Sequence, residues 1–228
     1  MNRWTRTMGA LGGALALGGC VLPLTVNIDD GDGRRIRGNG HVVTEWRAVG
    51  EFDAVSASGG IRVVVERTGA EDVTITAEEN LLRYLNAEVR GRVLYIGPRS
   101  GVNLDPRRDI VYRVESYEVV ELEASGAVSM EAEVGLVDEL WVSMSGASYL
   151  TVYGEANRQT VTLSGASRYD ALDLWTRWTG ITVSGASNAY VSVRERLDAE
   201  ASGASHVFFR GDPWVNARVS GASSVTRY

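Results

Sequence analysis

The chain has 228 residues, with 23 arginines, 29 acidic side chains, no lysine and a net charge of −6. That balance argues against a nucleic-acid or polyanion partner. A single cysteine excludes an internal disulfide framework and any cysteine-based metal cluster.

Residues 1–19 read as an export signal rather than as fold. Arg3 and Arg6 make a positive start, and Met8–Gly19 is an apolar, small-residue run too short to span a bilayer. Leu17-Gly18-Gly19-Cys20 then resembles the lipobox of bacterial lipoproteins, in which the cysteine is lipidated and begins the mature chain. The plainer alternative is a general secretory signal followed by an incidental cysteine. Cleavage at this point leaves 21 arginines against 29 acids, a net −8. No later stretch is long and apolar enough for a transmembrane helix.

Residues 20–40 are expected to be a solvated tether. Asp29, Asp30 and Asp32 suggest a calcium loop, but an EF-hand loop needs a glutamate at its twelfth position. Residues 41–228 read as one domain, long enough for a continuous core. Its first part offers strands at Ile61–Val65, Val73–Ala77 and Val93–Ile96, a degenerate corner at Ser58-Gly59-Gly60, and a helical turn around Asn80–Leu85.

Six copies of one motif set the architecture. They are Ser125-Gly126-Ala127-Val128, Ser145-Gly146-Ala147-Ser148, Ser164-Gly165-Ala166-Ser167, Ser184-Gly185-Ala186-Ser187, Ser202-Gly203-Ala204-Ser205 and Ser220-Gly221-Ala222-Ser223. Their first serines are 20, 19, 20, 18 and 18 residues apart, which marks a stack of like units. Apolar and polar residues alternate before each motif, as in Val142-Ser143-Met144 and Ile181-Thr182-Val183, and alternation resumes after it. Period two means half-buried strands. The fold class is all-β, a single-stranded parallel β-helix with about 18–20 residues per coil. Each coil is expected to run strand, tight corner, strand, variable return. Gly126, Gly146, Gly165, Gly185, Gly203 and Gly221 are expected at positive φ in the corners. The alanines are expected to face inward, and the serines to hydrogen-bond along the ladder.

With the repeat in view, the opening of the domain resembles a known family. Phe52-Asp53-Ala54-Val55-Ser56-Ala57-Ser58-Gly59-Gly60-Ile61, Ile75-Thr76-Ala77-Glu78-Glu79-Asn80 and Gly91-Arg92-Val93-Leu94-Tyr95-Ile96 are similar to the head GIN domain. The Ser-Gly-Ala-Ser repeats extend the likeness over nearly all of the mature chain, although Arg62 stands where the family often has asparagine. The resemblance implies a β-helix exported to the cell surface or periplasm, of a kind common among lipoproteins and described as auto-transporter adhesins. It carries no catalytic residues with it.

Enzymes built on β-helices gather acids in one groove. Here the outward positions before the corners are Glu123, Ser143, Thr162, Thr182, Glu200 and Arg218, which make no acidic ladder. Asp170 and Asp173 near Arg168, and Glu195 and Asp198 near Arg194 and Arg196, read as solvated loop carboxylates. His41 and His206 are isolated, and neither a nucleophile elbow nor a phosphate loop is present. No catalytic residue, metal or cofactor is expected.

The coils do offer aromatic side chains: Tyr169, Tyr190, Phe208, Phe209 and Trp214, and four candidate ligand contacts, Trp175, Trp178, Tyr149 and Tyr153. Aromatics fill solenoid interiors as readily as they make platforms for sugars or proteins. Three function classes stay open: a binding module, a scaffold self-associating through its end coils, and a polysaccharide-processing enzyme. The first is the expectation. It would be an exported adhesion protein of the envelope, held in the outer membrane by a lipid on Cys20, with a glycan or protein ligand and no nucleic acid.

Overall fold

The computed structural model describes residues 35–228. The signal segment, Cys20 and Asp29–Asp32 fall outside them. A short β1 (Ile36–Arg37) and β2 (Val42–Ala48) precede β3 (Ala54–Gly59), β4 (Arg62–Arg67) and β5 (Asp72–Glu78). One 3-10 turn (Leu82–Tyr84) leads to β6 (Leu85–Arg90), β7 (Val93–Pro98), β8 (Leu104–Asp105) and β9 (Val111–Ser116). After β10 (Glu121–Gly126) come four long strands, β11 (Ser129–Met144), β12 (Tyr149–Leu163), β13 (Arg168–Val183) and β14 (Asn188–Ala201). The last are β15 (His206–Arg210), β16 (Trp214–Val219) and β17 (Ser224–Arg227).

The result is a β-solenoid of about five turns. The expected variable return is itself strand. A full coil is one bent strand of 14 to 16 residues, broken only at the Ser-Gly-Ala corner. The backbone polar groups of the return find their partners on the adjacent coil. Asp170, Asp173, Glu195 and Asp198 therefore lie on strands rather than on loops.

Each coil has two walls that meet at the corner. On the wall entering it, β7, β3, β10, the second halves of β11 to β14, and β16 run parallel. On the wall leaving it, β9, β4, the first halves of β11 to β14, β15 and β17 do the same. Ser58-Gly59 pairs with Ser125-Gly126, so the degenerate corner is real. The first coils mix in antiparallel pairs, β6 on β7 and β5 on both β2 and β9, which cover the starting edge of the stack.

The corner glycines have φ between +73° and +85°. A Cβ on Gly165 would stand 2.5 Å from the carbonyl oxygen of Gly146, and one on Gly185 would stand 2.4 Å from that of Gly165. Conformation and stacking thus both demand glycine. The expectation for the alanines is reversed: Ala127, Ala147, Ala166, Ala186 and Ala204 are exposed. The inward corner residue is the fourth, buried as Val128, Ser148, Ser167, Ser187 and Ser205. Alternation carries straight through the corner: the residue before the serine and the fourth residue of the motif, four positions apart, both face inward, the alanine between them faces out, and the αL glycine takes the remaining position without a side chain. The buried hydroxyls have partners. Ser148 and Ser167 donate to the carbonyls of Ser145 and Ser164 at 3.0 and 2.9 Å. Ser187 and Ser205 donate to the corner carbonyls of Gly165 and Gly185 at 3.3 Å.

The segment expected as tether is folded in part. Ile36 and Arg37 of β1 pair with Leu104 and Asp105 of β8. The carboxylate of Glu78, fully buried, accepts the amides of Gly40 at 2.5 Å and Arg107 at 2.8 Å. Burial pushes this carboxyl up, but the amides of Arg107, Gly40 and Arg108 together outweigh it and hold it below its ordinary range.

Two outcomes follow. Gly165→Ala should cost about 2 kcal/mol or more, whereas Ala166→Ser should stay within about 0.5 kcal/mol, both read by urea denaturation. The lowered Glu78 value means that its contribution is complete above the ordinary glutamate range and is lost as pH falls through the lowered value. Thermal melts should therefore show Glu78→Gln less stable than wild type at neutral pH, with the gap narrowing in acid.

Candidate surface for ligand binding

On the wall entering the corner, parallel register stacks equivalent residues of successive coils into outward columns. One column reads Glu139, Arg158, Trp178, Arg196 and Trp214. The next, two residues nearer the corner, reads Trp141, Thr160, Gly180, Asp198 and Asn216. A third reads Ser143, Thr162, Thr182, Glu200 and Arg218. Trp141, Trp178 and Trp214 are 48%, 44% and 61% exposed. They sit on the first, third and fifth of these coils, so one large indole faces solvent on every second coil.

The rings are held in place. The Arg158 guanidinium lies 4.9 Å from the Trp178 ring centre, and that of Arg196 lies 4.8 Å from Trp214. The Trp178 indole N–H donates to Glu195 Oε2 at 3.1 Å, and Arg177 Nε donates to Glu195 Oε1 at 2.8 Å. Arg177 and the Trp178 indole hold the Glu195 carboxyl below its ordinary range. Arg196 and the Asn216 amide do the same for Asp198, to which Asn216 donates at 3.0 Å. Beneath the column, buried polar groups lock the wall from inside. Tyr169 OH donates to Gln159 at 2.9 Å, Gln159 donates to Thr179 at 3.0 Å, and Thr179 bonds Thr176 at 2.7 Å. Burial, reinforced by Asp170, pushes the Tyr169 hydroxyl far up, so it stays a neutral donor.

A shallow groove runs along the bend before this wall. One part is lined by Leu136, Trp141 and Glu118, the other by Trp178, Arg177 and Arg158, and both parts share Asp138, Glu139 and Asn157. Asn157 donates to Asp138 at 2.8 Å across adjacent coils. The groove has an indole at each end and carboxylate, amide and guanidinium groups between them, a mixture suited to an amphipathic, hydroxyl-bearing ligand.

The four candidate contacts do not form one patch. Trp178 belongs to the tryptophan wall. Trp175 stacks between Glu155 and Ser192 in another column, half-buried under Arg194 and Arg210 at 5.5 and 5.0 Å. Tyr149 and Tyr153 lie on the wall leaving the corner, Tyr149 exposed with Arg168 at 5.9 Å from its ring. Tyr153 stands in register with Glu133 and Asp173. His206 bonds Ser224 at 2.9 Å, and His41 lies 3.2 Å from Glu79. Cys20 lies outside the described residues. Sequence reasoning missed Trp141, Arg158, Asn157 and Asp138. Counting six residues back from each of the last five corner serines exposes the Glu-Arg-Trp-Arg-Trp series.

The family described as "Putative auto-transporter adhesin, head GIN domain" matches residues 51–213. A "putative adhesin" from Bacteroides fragilis superposes with a TM-score of 0.71 at 14% identity, over 85% of this chain and 100% of that one. A "putative lipid binding protein" from Parabacteroides distasonis gives 0.54 at 21% identity, over 86% and 100%. A "putative adhesin" from Parabacteroides merdae gives 0.52 at 20%, over 85% and 99%. At such identities these structures share the fold alone. No curated protein is significantly similar to the chain.

An exposed ring and a packed ring respond differently to truncation. Trp178→Ala should change stability by about 1 kcal/mol at most, while Trp175→Ala should cost about 2–3 kcal/mol. Urea denaturation of the two variants compares them directly.

Proposed function

The chain belongs to the head GIN domain family, and on that premise we propose that it is an exported, lipid-anchored, non-catalytic binding module of the cell envelope. The observation that carries the reading is the tryptophan wall, with Trp141, Trp178 and Trp214 outward on alternate coils of a rigid stack. Large, fixed aromatic rings flanked by polar groups are what binding hot spots use. The carboxylates nearest the rings serve as fixed charges, since Glu195 and Asp198 are held ionised by Arg177 and Arg196. That suits recognition better than proton transfer.

The anchor is assigned to Cys20 of the Leu17-Gly18-Gly19-Cys20 sequence. Residues 1–19 are the signal, the segment after Cys20 leads to the domain, and the outer membrane is the proposed location. The end coil supports a second reading, self-association. Trp214, Val215 and Val219 of β16 are 61%, 36% and 47% exposed. Sedimentation velocity over a range of concentrations tests it, and a constant monomer would remove it.

For the main reading, Cys20→Ala should move the protein from the membrane to the soluble fraction. Trp141→Ala/Trp178→Ala in the full chain should stay membrane-bound but lose at least about tenfold in binding to a glycoprotein-coated surface. Unchanged binding by the double variant would refute the assignment of this wall.

A further inference from the structure

We infer that the ligand is a neutral, extended, β-linked glycan chain lying along the solenoid axis across Trp141, Trp178 and Trp214. The inference rests on the reading of the tryptophan wall as the binding face and adds the ligand's chemistry and direction. Neighbouring coils are about 4.8 Å apart, so indoles on alternate coils recur about every 9.6 Å along the axis. In an extended β-1,4 chain successive pyranose rings are turned over, and every second ring presents the same face to one side. Trp178 and Trp214, two coils apart in one column, match that alternation, with Trp141 two coils earlier and one column nearer the corner. A single sugar would require only one ring.

The surface between the indoles fits the hydroxyls of such a chain. Gly180 has no heavy atom within 4 Å of where its Cβ would stand, which leaves an opening in the wall between Thr160 and Asp198. Thr160, Thr162, Thr182, Asp198 and Asn216 border that opening. Hydroxyl, carboxylate and amide groups there can both donate to and accept from sugar hydroxyls.

Charge selects for neutrality. On the wall and its bend Arg177, Arg196 and Arg218 each have a carboxylate partner, while Arg158 has none among the described residues and lies over the Trp178 ring. Arg177 pairs with Glu195 at 2.8 Å, Arg196 with Asp198 at 2.5 Å and Arg218 with Glu200 at 2.7 Å. Among the described residues a polyanion finds a single cation without a carboxylate partner on this face, Arg158, whose guanidinium is stacked on an indole, and the chain's own charge of −6 repels it. Aromatic stacking on nucleic acid would need the cationic groove that this surface lacks.

The test is calorimetric titration of the detergent-solubilised full chain with cello- and chito-oligosaccharides of increasing length, with malto-oligosaccharides as the helically coiled, α-linked control. Affinity should rise at least about tenfold between the disaccharide and the hexasaccharide, with little dependence on salt. Trp178→Ala should abolish the gain with length, and Trp214→Ala should reduce it. Equal binding at all lengths, preference for the α-linked series, or steep salt dependence would overturn the inference. So would failure of every β-linked oligosaccharide to bind. If that failure came while Trp141→Ala/Trp178→Ala still lost the coated surface, the binding face would stand and only the ligand class would fall. If the double variant kept the surface, the binding face itself would fall.

Discussion

Each corner alanine amide donates to the carbonyl of the corner glycine one coil earlier, at 2.7–2.8 Å over the last five corners. The rest of the solenoid depends on this bond. It requires glycine carbonyls to point along the axis from a left-handed conformation, and it brings successive corners too close for any Cβ. Because corners stack without slippage, the strands on either side inherit a fixed register, and residues at equal distances from the serine fall into columns. A one-residue slip would reverse inside and outside along a whole wall. The proposed binding surface is thus a consequence of the corner, since Glu139, Arg158, Trp178, Arg196 and Trp214 are neighbours only because their serines are.

Much of the fold was legible in the sequence because the period is so regular. Spacing of the serines gave the coil length, and alternation around Val142, Val161 and Ile181 gave the buried column. One feature was legible but easily misread, and one was hidden. Alternation carried through the corner puts Leu163 and Ser167 inside and Ala166 in water, whereas residue polarity alone points the other way, to a buried alanine and an exposed serine. The returns vary in sequence, and their pairing comes from the adjacent coil rather than from local pattern. That is why Asp198 was read as a loop residue and Arg158 was overlooked.

The candidate site was legible only in part. Trp178 stands out in the sequence as one of four candidate aromatic contacts, but closeness in sequence to Trp175 does not make the two neighbours on the surface. Thr176 and Thr179 both turn inward and bond each other, so Trp175 and Trp178 leave the chain in different columns. The site follows the repeat at a distance of one coil, where Arg158 and Trp178 meet, and of two, where Trp214 repeats the place of Trp178 in the same column. A solenoid whose interior is filled by Leu122, Met130, Leu140, Leu150 and Tyr169 leaves only its outer faces for recognition. Here the outside is made rigid by ion pairs along the columns and by the Tyr169–Gln159–Thr179 bonds behind them.

The indole N–H resonances of the chain's tryptophans give the most direct test. In a heteronuclear NMR titration with a β-1,4 hexasaccharide, the account predicts shifts for Trp141, Trp178 and Trp214 in a single saturable event. Trp175, under its two arginines, and Trp46, on β2, should stay in place. Shifts confined to Trp175 or Trp46, or no shift at any of the three outward indoles, would contradict it.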